Sequence, residues 1–325
     1  MVTAVTGAAG HLGANLVREL LAQGRTVRVL ARSDTRALAG LSVQVVHGDL
    51  FDERALRELM DGADSVFHLA ARISIAGPEG GLVEKTNVDG VRAVLAACQT
   101  ARVRRLVHCS SIHAFDTHPT DQTVDESRPL ALGPGQLPYD RSKAEGQQAV
   151  IDAARDGLDA VVINPTAVVG PYDYKLSRMG SVFRDICTHR LPMLIDGGFN
   201  WVDARDVARG AVLAEQKGRR GESYLLAGHW VHIREVSKII ARVSGRRTPT
   251  VAAPLWVAWA ASWFSLGWGR LRGVTPKFTP AAIHALSTHR LISHEKASRE
   301  LGYEPRPFED TVRDTLAWFR SEGML

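Results

Sequence analysis

Twelve residues at the start of the chain restrict its fold more than any others. An apolar run, Val2 to Thr6, reads as a buried strand and is followed at once by glycines at 7, 10 and 13. Beyond it Leu12, Leu16 and Leu20 repeat on one helical face over 11–23, and Gly24 is placed to end that helix. A strand that turns through glycines into a helix leaves the helix's first N–H groups free, which makes a seat for a phosphate. Gly7 permits the turn, Gly10 admits a pyrophosphate and Gly13 lets helix pack on strand. Ala9, His11 and Leu12 share that cradle.

The same alternation continues. Strands are expected at Thr26–Ala31, Val43–His47, Ser65–Leu69, Arg105–Cys109 and Ala160–Ile163, with helices over 52–61, 82–101 and Tyr139–Arg155 between them. Strand and helix in turn imply right-handed crossovers and a parallel, doubly wound sheet of the Rossmann kind. After Pro165 the pattern loosens into Pro, Gly and isolated charges, and no internal repeat is visible. The expected organisation is therefore a dinucleotide-binding domain over 1–165, to which 199–228 returns, and a smaller, mostly C-terminal substrate domain from 166–198 and 229–325.

Composition narrows the partners. The net charge is +5, from 40 Lys and Arg against 35 Asp and Glu, and its clusters are short and scattered. Such clusters read as solvated faces, so nucleic acid is not expected. Three cysteines, Cys98, Cys109 and Cys187, have neither disulfide nor metal spacing, so no metal is expected and the compartment is a reducing one. The chain opens directly on a strand with no leader ahead of it, which points to the cytoplasm. The longest apolar stretch, Leu255 to Trp268, is broken by Ser262, Ser265 and Gly267 and falls short of the ~20 residues of a span, so stable membrane insertion is not expected. A small-molecule substrate is the expected partner, and a homodimer is left open.

Two further stretches carry chemistry. At the end of the second strand, Ala31 stands where an acidic residue would bond a ribose 2′-hydroxyl, and Arg32 and Ser33 follow. A guanidinium beside a hydroxyl suits a 2′-phosphate, which favours NADP over NAD. The competing reading has Asp34 reaching the ribose. Tyr139 and Lys143 fall at i and i+4 on a helix, with Ser111 upstream after the fifth strand. A nearby ammonium favours phenolate, so Tyr139 can give or take the proton of a carbonyl–alcohol pair while a serine hydroxyl orients the carbonyl.

These stretches together make residues 1 to about 228 resemble the extended short-chain dehydrogenase/reductases. The matching segments are TGAAGHLG (6–13), GDL (48–50), HLAA (68–71), NVDG (87–90), SSIHAF (110–115), YDRSK (139–143) and NPTAVVGP (164–171). The resemblance implies a catalytic Ser111, Tyr139 and Lys143, with Tyr139 and Lys143 also touching cofactor. It implies Asp49 and Leu50 beside the adenine and Leu69, Ala70 and Ala71 along the cofactor, with Asn87 holding that loop. Asn164, Pro165 and Thr166 would flank the nicotinamide. A weaker likeness to dihydroflavonol-reductase-like and 3β-hydroxysteroid-dehydrogenase-like members runs through FNWVDARDVARG (199–210) and residues 297–319.

The function this implies is an NADP(H)-dependent oxidoreductase working on a carbonyl or secondary alcohol. A nucleotide-sugar epimerase or dehydratase is one alternative. It is weakened because Gly197 and Gly198 precede Phe199 where those enzymes usually place a basic residue, and because no Asp-Glu pair follows Ser111. A non-catalytic NADPH-binding sensor or scaffold is another, weakened because Tyr139 and Lys143 are both kept. Asn87 is read as a turn or loop holder before a proton relay, His68 as a core histidine, His113 as a loop residue and Cys109 as a small apolar filler. Asp203 with Asp206 reads as a helix cap, and Asp64 as a turn residue. Trp256, Trp259 and Trp263 fall on one helical face, with Phe264 and Trp268 nearby, in a chain only 6% aromatic. Packing between the domains is the leading reading of that cluster, ahead of the wall of an apolar or aromatic substrate pocket and an interfacial membrane foot.

Overall fold

Strands whose residues are buried on both faces must lie inside a sheet covered by helices on each side, and the chain folds accordingly. The computed structural model describes residues 1–74, 77–191, 193–260 and 290–325. Strand β1 (Val2–Thr6) leads through the glycine turn into α1 (His11–Ala22); β2 (Thr26–Ala31), β3 (Val43–His47), α2 (Glu53–Met60) and β4 (Ser65–His68) follow. Helix α3 (Gly90–Thr100), β5 (Arg105–Cys109), α4 (Pro138–Arg155) and β6 (Ala160–Pro165) complete the first half. The second half carries β7 (Ala167–Val169), α5 (Arg178–Cys187), β8 (Leu194–Ile195), β9 (Gly198–Asp203), α6 (Ala204–Lys217), β10 (Ser223–Leu226), β11 (His229–His232), α7 (Ile233–Ser244), β12 (Ala252–Ala253), α8 (Glu295–Leu301) and α9 (Phe308–Ser321).

Seven strands form one parallel sheet in the order β10-β6-β5-β4-β1-β2-β3. The order reverses between β1 and β4, and the crevice at that switch point, at the carboxyl ends of the strands, is where such sheets bind ligands. Leu16, Val17 and Leu20 of α1 and Val207, Ala211 and Val212 of α6 cover one face. Leu56 and Leu59 of α2, Val91 and Val94 of α3, and Val150 and Ala153 of α4 cover the other. Helix α2 starts where Asp52 caps it, accepting from the Ala55 N–H at 3.0 Å. That contact is worth about 1 kcal/mol.

The single helix expected over 82–101 is interrupted. A short turn at Leu82–Glu84 widens into a π-helical turn over Lys85–Asp89 before α3 begins. The widened turn contains Asn87, whose side chain leaves the helix to hold another segment; such turns recur where a helix serves a site. No local periodicity signals it.

Within 199–228, β9 pairs with β7 and β11 in a separate three-stranded sheet, while α6 and β10 pack on or join the large sheet. Phe183, Trp201, Val236, Phe308, Leu316 and Phe319 build a second core between α5, α7, α9 and that small sheet. The Trp201 indole N–H donates to the Val231 carbonyl at 3.1 Å, so the largest buried side chain there has no unmet polar atom. Asp203 caps α6 by accepting from Arg205 N–H at 2.8 Å, and Asp206 accepts from Arg306 at 2.9 Å. Among the described residues no helix is long and apolar enough to cross a membrane, and no group of side chains could hold a metal ion. Residues 255–260 are helical, with Trp256 73% and Trp259 54% exposed. Those two indoles are thus not buried in a seam between the halves, and Trp263, Phe264 and Trp268 lie outside the described residues.

Candidate active site

Because the strands are parallel, Thr6, His68, Cys109 and Pro165 all end at one edge of the sheet, and motifs far apart in sequence meet there. The glycine turn lies at its centre. Gly7 has φ +74°, and a Cβ there would sit 2.6 Å from the Ala70 nitrogen, so Leu69 and Ala70 pass directly against the turn. A Cβ on Gly13 would run into the carbonyl oxygen of Gly7. Gly10 heads α1 with no side-chain cap, and the first turn has no acidic residue. The unclaimed first-turn N–H groups and the close glycine packing fit a dinucleotide pyrophosphate. The His11 ring is committed elsewhere: Nε2 lies 3.1 Å from the Pro171 carbonyl and 3.2 Å from that of Gly170. Only the backbone of His11 is left for the cradle. Ala9 and Leu12 flank it, half-buried.

Arg32 and Ser33 follow β2, which runs in register beside β1 with Leu30 opposite Thr6, and both are exposed. Asp34 is already occupied, accepting from Arg36 Nε and Nη2 at 3.1 Å each with Lys175 Nζ at 3.8 Å. The hydrogen bonds from Arg36 hold its carboxyl down at about 2. Asp49 is exposed, with its carboxylate accepting from the Phe51 N–H at 2.8 Å, and Leu50 is buried against Gly90. Ala71 is exposed at the crevice. Asn87 holds this segment: its amide oxygen accepts from Arg72 N–H at 2.8 Å, and its nitrogen donates to Arg72 O and Ser142 Oγ, each at 3.0 Å. Those three bonds use both N–H groups and one of the two acceptor sites of the oxygen, and they fix the Arg72 segment.

Ser111, Tyr139 and Lys143 come together on the β6 side of the switch point. Alternation along the strand separates the two serines. Ser110 Oγ is buried without a partner among the described residues, while the Ser111 hydroxyl accepts from His113 N–H at 3.2 Å and acts on the Tyr139 phenol, favouring its phenolate. Lys143 is buried one turn after Tyr139, and Nζ donates to the Cys109 carbonyl at 3.0 Å. Burial pushes the Tyr139 phenol well above its ordinary value, against the pull of the Ser111 hydroxyl and the charge of Arg178. Burial also lowers the Lys143 ammonium. The expectation that Lys143 would bring the phenol down is therefore not met in this arrangement: the ammonium is turned to a backbone carbonyl and burial dominates.

Asn164 ties the group together by donating to Ser111 O at 2.8 Å and to Gln147 Oε1 at 2.7 Å. Pro165 ends β6, and Thr166 Oγ1 bonds Asn200 Oδ1 at 3.0 Å. Two residues here were not singled out from sequence. Gln147, one turn beyond Lys143, bridges Asn164 and Ser223 and was legible from its i+4 spacing. Arg178, at the head of α5, reaches Tyr139 only by its charge and across the crevice, and nothing local marks it. His68 and His108 lie directly below, ring centroids 5.3 Å apart. Burial, then the Lys143 charge, takes His68 down to about 3, so it is a neutral core histidine.

The model of the NAD dependent epimerase/dehydratase family matches residues 3–227. "Sterol demethylase protein B" of Methylococcus capsulatus is 36% identical, with 100% of each chain covered. A 4-hydroxy-2-methyl-3-oxo-4-farnesyl-3,4-dihydroquinoline-1-oxide ketoreductase of Stigmatella aurantiaca is 34% identical over 97% of this chain and 96% of its own. Among solved structures, a nucleoside-diphosphate-sugar epimerase from Pseudomonas aeruginosa superposes with a TM-score of 0.82 at 26% identity, covering 100% of this chain and 99% of the other. With the glycine cradle at the switch point and the family match over more than half its length, the chain belongs to the NAD-dependent epimerase/dehydratase family of extended short-chain dehydrogenase/reductases and is an NAD(P)-dependent oxidoreductase.

Proposed function

We propose that this protein is an NADP(H)-dependent reductase or dehydrogenase acting on a carbonyl or secondary alcohol of an apolar or aromatic substrate. The observation that carries this is the meeting of Ser111, Tyr139 and Lys143 at the carboxyl edge of the sheet, where the Ser111 hydroxyl acts on the Tyr139 phenol and the glycine cradle lies at the centre of that edge. A bound nicotinamide supplies or accepts the hydride. Tyr139 is the acid that protonates the carbonyl oxygen: burial keeps the phenol protonated and ready to donate. Ser111 orients the same oxygen. Lys143, whose ammonium donates to the Cys109 carbonyl, would hold the cofactor ribose. Residues 1–165 with 204–228 form the cofactor half, and 166–203 with 229–325, whose β7, β9 and β11 share one sheet, form the substrate half. Three free, buried cysteines are consistent with a reducing, cytoplasmic setting.

The apolar substrate class is supported by the relatives, named for a sterol and for a farnesylated quinoline ketone. The second reading, a nucleotide-sugar epimerase, draws on the Pseudomonas aeruginosa structure. Against it stands Gly198, where a Cβ would sit 2.8 Å from the Trp230 ring and from the Val231 carbonyl, so the first position of β9 has no room for a diphosphate-binding basic side chain. Assays of apolar ketones and of nucleotide sugars with NADPH, following the absorbance of the reduced ring, separate the readings. Turnover of nucleotide sugars with no response to ketones moves the assignment to the epimerase.

The 2′-phosphate preference rests on Arg32 and Ser33, with Asp34 held away from a ribose by Arg36 and Lys175. NADPH is expected to bind more tightly than NADH by about 1.5–3 kcal/mol, the worth of one charge-assisted contact set. Arg32→Ala should remove most of that difference in a fluorescence titration, and equal wild-type affinities would overturn the preference. Lys143→Met should weaken cofactor binding as well as turnover. Unchanged affinity in that variant removes the ribose role.

A further inference from the structure

We propose that Lys175, on the loop between β7 and α5, is a second cation for the cofactor's 2′-phosphate. It holds that group from the substrate half, while Arg32 and Ser33 hold it from the cofactor half. This deepens the NADP(H) reading above and rests on it. A phosphate monoester carries about −1.5 to −2 charges at pH 7, more than one guanidinium balances. The residues that follow Arg32 add nothing to it. Asp34 accepts from both Nε and Nη2 of Arg36 at 3.1 Å each, so those two charges cancel locally.

Lys175 supplies the further charge. Its Nζ lies 3.8 Å from Asp34 Oδ2, beyond hydrogen-bond length, and that is the one ion pair it makes among the described residues. Its side chain is 47% exposed, so the ammonium stays open to a ligand. Arg32 and Ser33 immediately precede Asp34, so a phosphate that they hold lies within reach of the same ammonium. Arg18, the other cation here, is already committed. Its Nη1 donates to the Ala14 and Ala37 carbonyls at 2.8 and 3.1 Å, and its Nη2 to the Tyr174 hydroxyl at 3.3 Å.

The fold anchors the loop that carries Lys175. At its start, His11 Nε2 and Asn15 Nδ2 of α1 lie 3.1 and 3.0 Å from the Pro171 carbonyl. Towards its end, the buried Asp173 carboxylate accepts from the Ser177 N–H at 2.8 Å and from the Ser177 hydroxyl at 2.6 Å. Between these ties the Arg18 guanidinium lies 4.1 Å from the centre of the Tyr172 ring. Because Arg18 also bonds the Ala37 carbonyl, it clamps the loop against the segment that follows Asp34. Tyr172 and Leu176, with φ +65° and +51°, hold left-handed backbone on either side of Lys175. Such conformations persist where surrounding contacts impose them, and they gather at ligand clamps. The ammonium is thus carried by a fixed loop, and less freedom is lost when a phosphate meets it.

The test is a fluorescence titration of the full-length protein with NADPH and NADH, with adenosine 2′-monophosphate and adenosine 5′-monophosphate as competitors. Lys175→Met is expected to weaken NADPH about three- to fivefold, the scale of one exposed charge pair, and to leave NADH within about twofold. Adenosine 2′-monophosphate should lose the same factor as a competitor, and adenosine 5′-monophosphate should lose none. Lys175→Arg should keep the wild-type preference. Lys175→Glu should reduce it by about tenfold, since repulsion replaces attraction. Lys238→Glu changes the net charge equally on α7 and should leave the preference unchanged, which separates a local contact from the field of the whole molecule. An unchanged ratio of NADPH to NADH affinity in Lys175→Met and Lys175→Glu overturns the proposal. So does an equal loss of both cofactors, which would make Lys175 a brace for its loop. A wild type that binds NADPH and NADH equally would instead overturn the 2′-phosphate reading itself.

Discussion

Tyr139→Phe should reduce turnover by about 10²–10⁴-fold while leaving cofactor affinity within about twofold of wild type, the range general acid catalysis contributes. The substitution keeps the ring, and with it the edge contact to His113, and removes only the phenolic hydroxyl. The Ser111 hydroxyl still accepts from the His113 N–H, so the turn has no reason to collapse. Steady-state kinetics with a cofactor titration on the same preparation check both halves. A variant that keeps most of its kcat would mean that the proton comes from another group, and a variant that loses the cofactor as well would mean that the phenol is part of its binding surface.

The second large effect is expected at the glycine turn. Gly13→Ala should lower both Tm and cofactor affinity, because its Cβ collides with the Gly7 carbonyl and α1 cannot stay against β1. Overpacking of this kind costs about 1–3 kcal/mol, and moving the helix also withdraws its N-terminus from the pyrophosphate. Gly10→Ala is the control. There a Cβ would lie 3.2 Å from the Gly7 oxygen, a distance that a small shift accommodates, so Tm should change little. Its cofactor affinity should still fall, since the new methyl faces the phosphate side of the turn. Thermal melts and NADPH titrations of the two variants separate packing from ligand approach. If Gly13→Ala melts like wild type, the close helix–strand contact is not what holds the cradle.

Much of this arrangement is local and therefore legible in the chain. The strands that end at Thr6, Cys109 and Pro165 are short apolar runs, and parallel pairing sends their carboxyl ends to one edge whatever the details of the loops. Tyr139 and Lys143 are one turn apart on a helix that starts at Pro138. Asp52, Asp203 and Gly24 mark helix boundaries through their own side chains or backbone. Less legible was the division of 199–228. Which sheet Gly198–Asp203 joins depends on β7 and β11, and position 228 admits only glycine because it lies hard against the Trp201 backbone.

What the sequence by itself determined is the α/β fold, the phosphate cradle and the residues with chemistry to offer, because each rests on spacing within a single strand, turn or helix. Only the tertiary structure decided their electrostatics. Burial raises the Tyr139 phenol and sends the Lys143 ammonium to the Cys109 carbonyl; a reading along the chain pairs those two groups with each other. Arg178 acts on Tyr139 from across the crevice, Asn87 leaves its helix to hold the Arg72 loop, and His113 meets Asp140 27 residues away. Each of these depends on which segments are brought together and how far water is excluded between them. Neither desolvation nor a contact between distant elements has a periodicity that a chain can display.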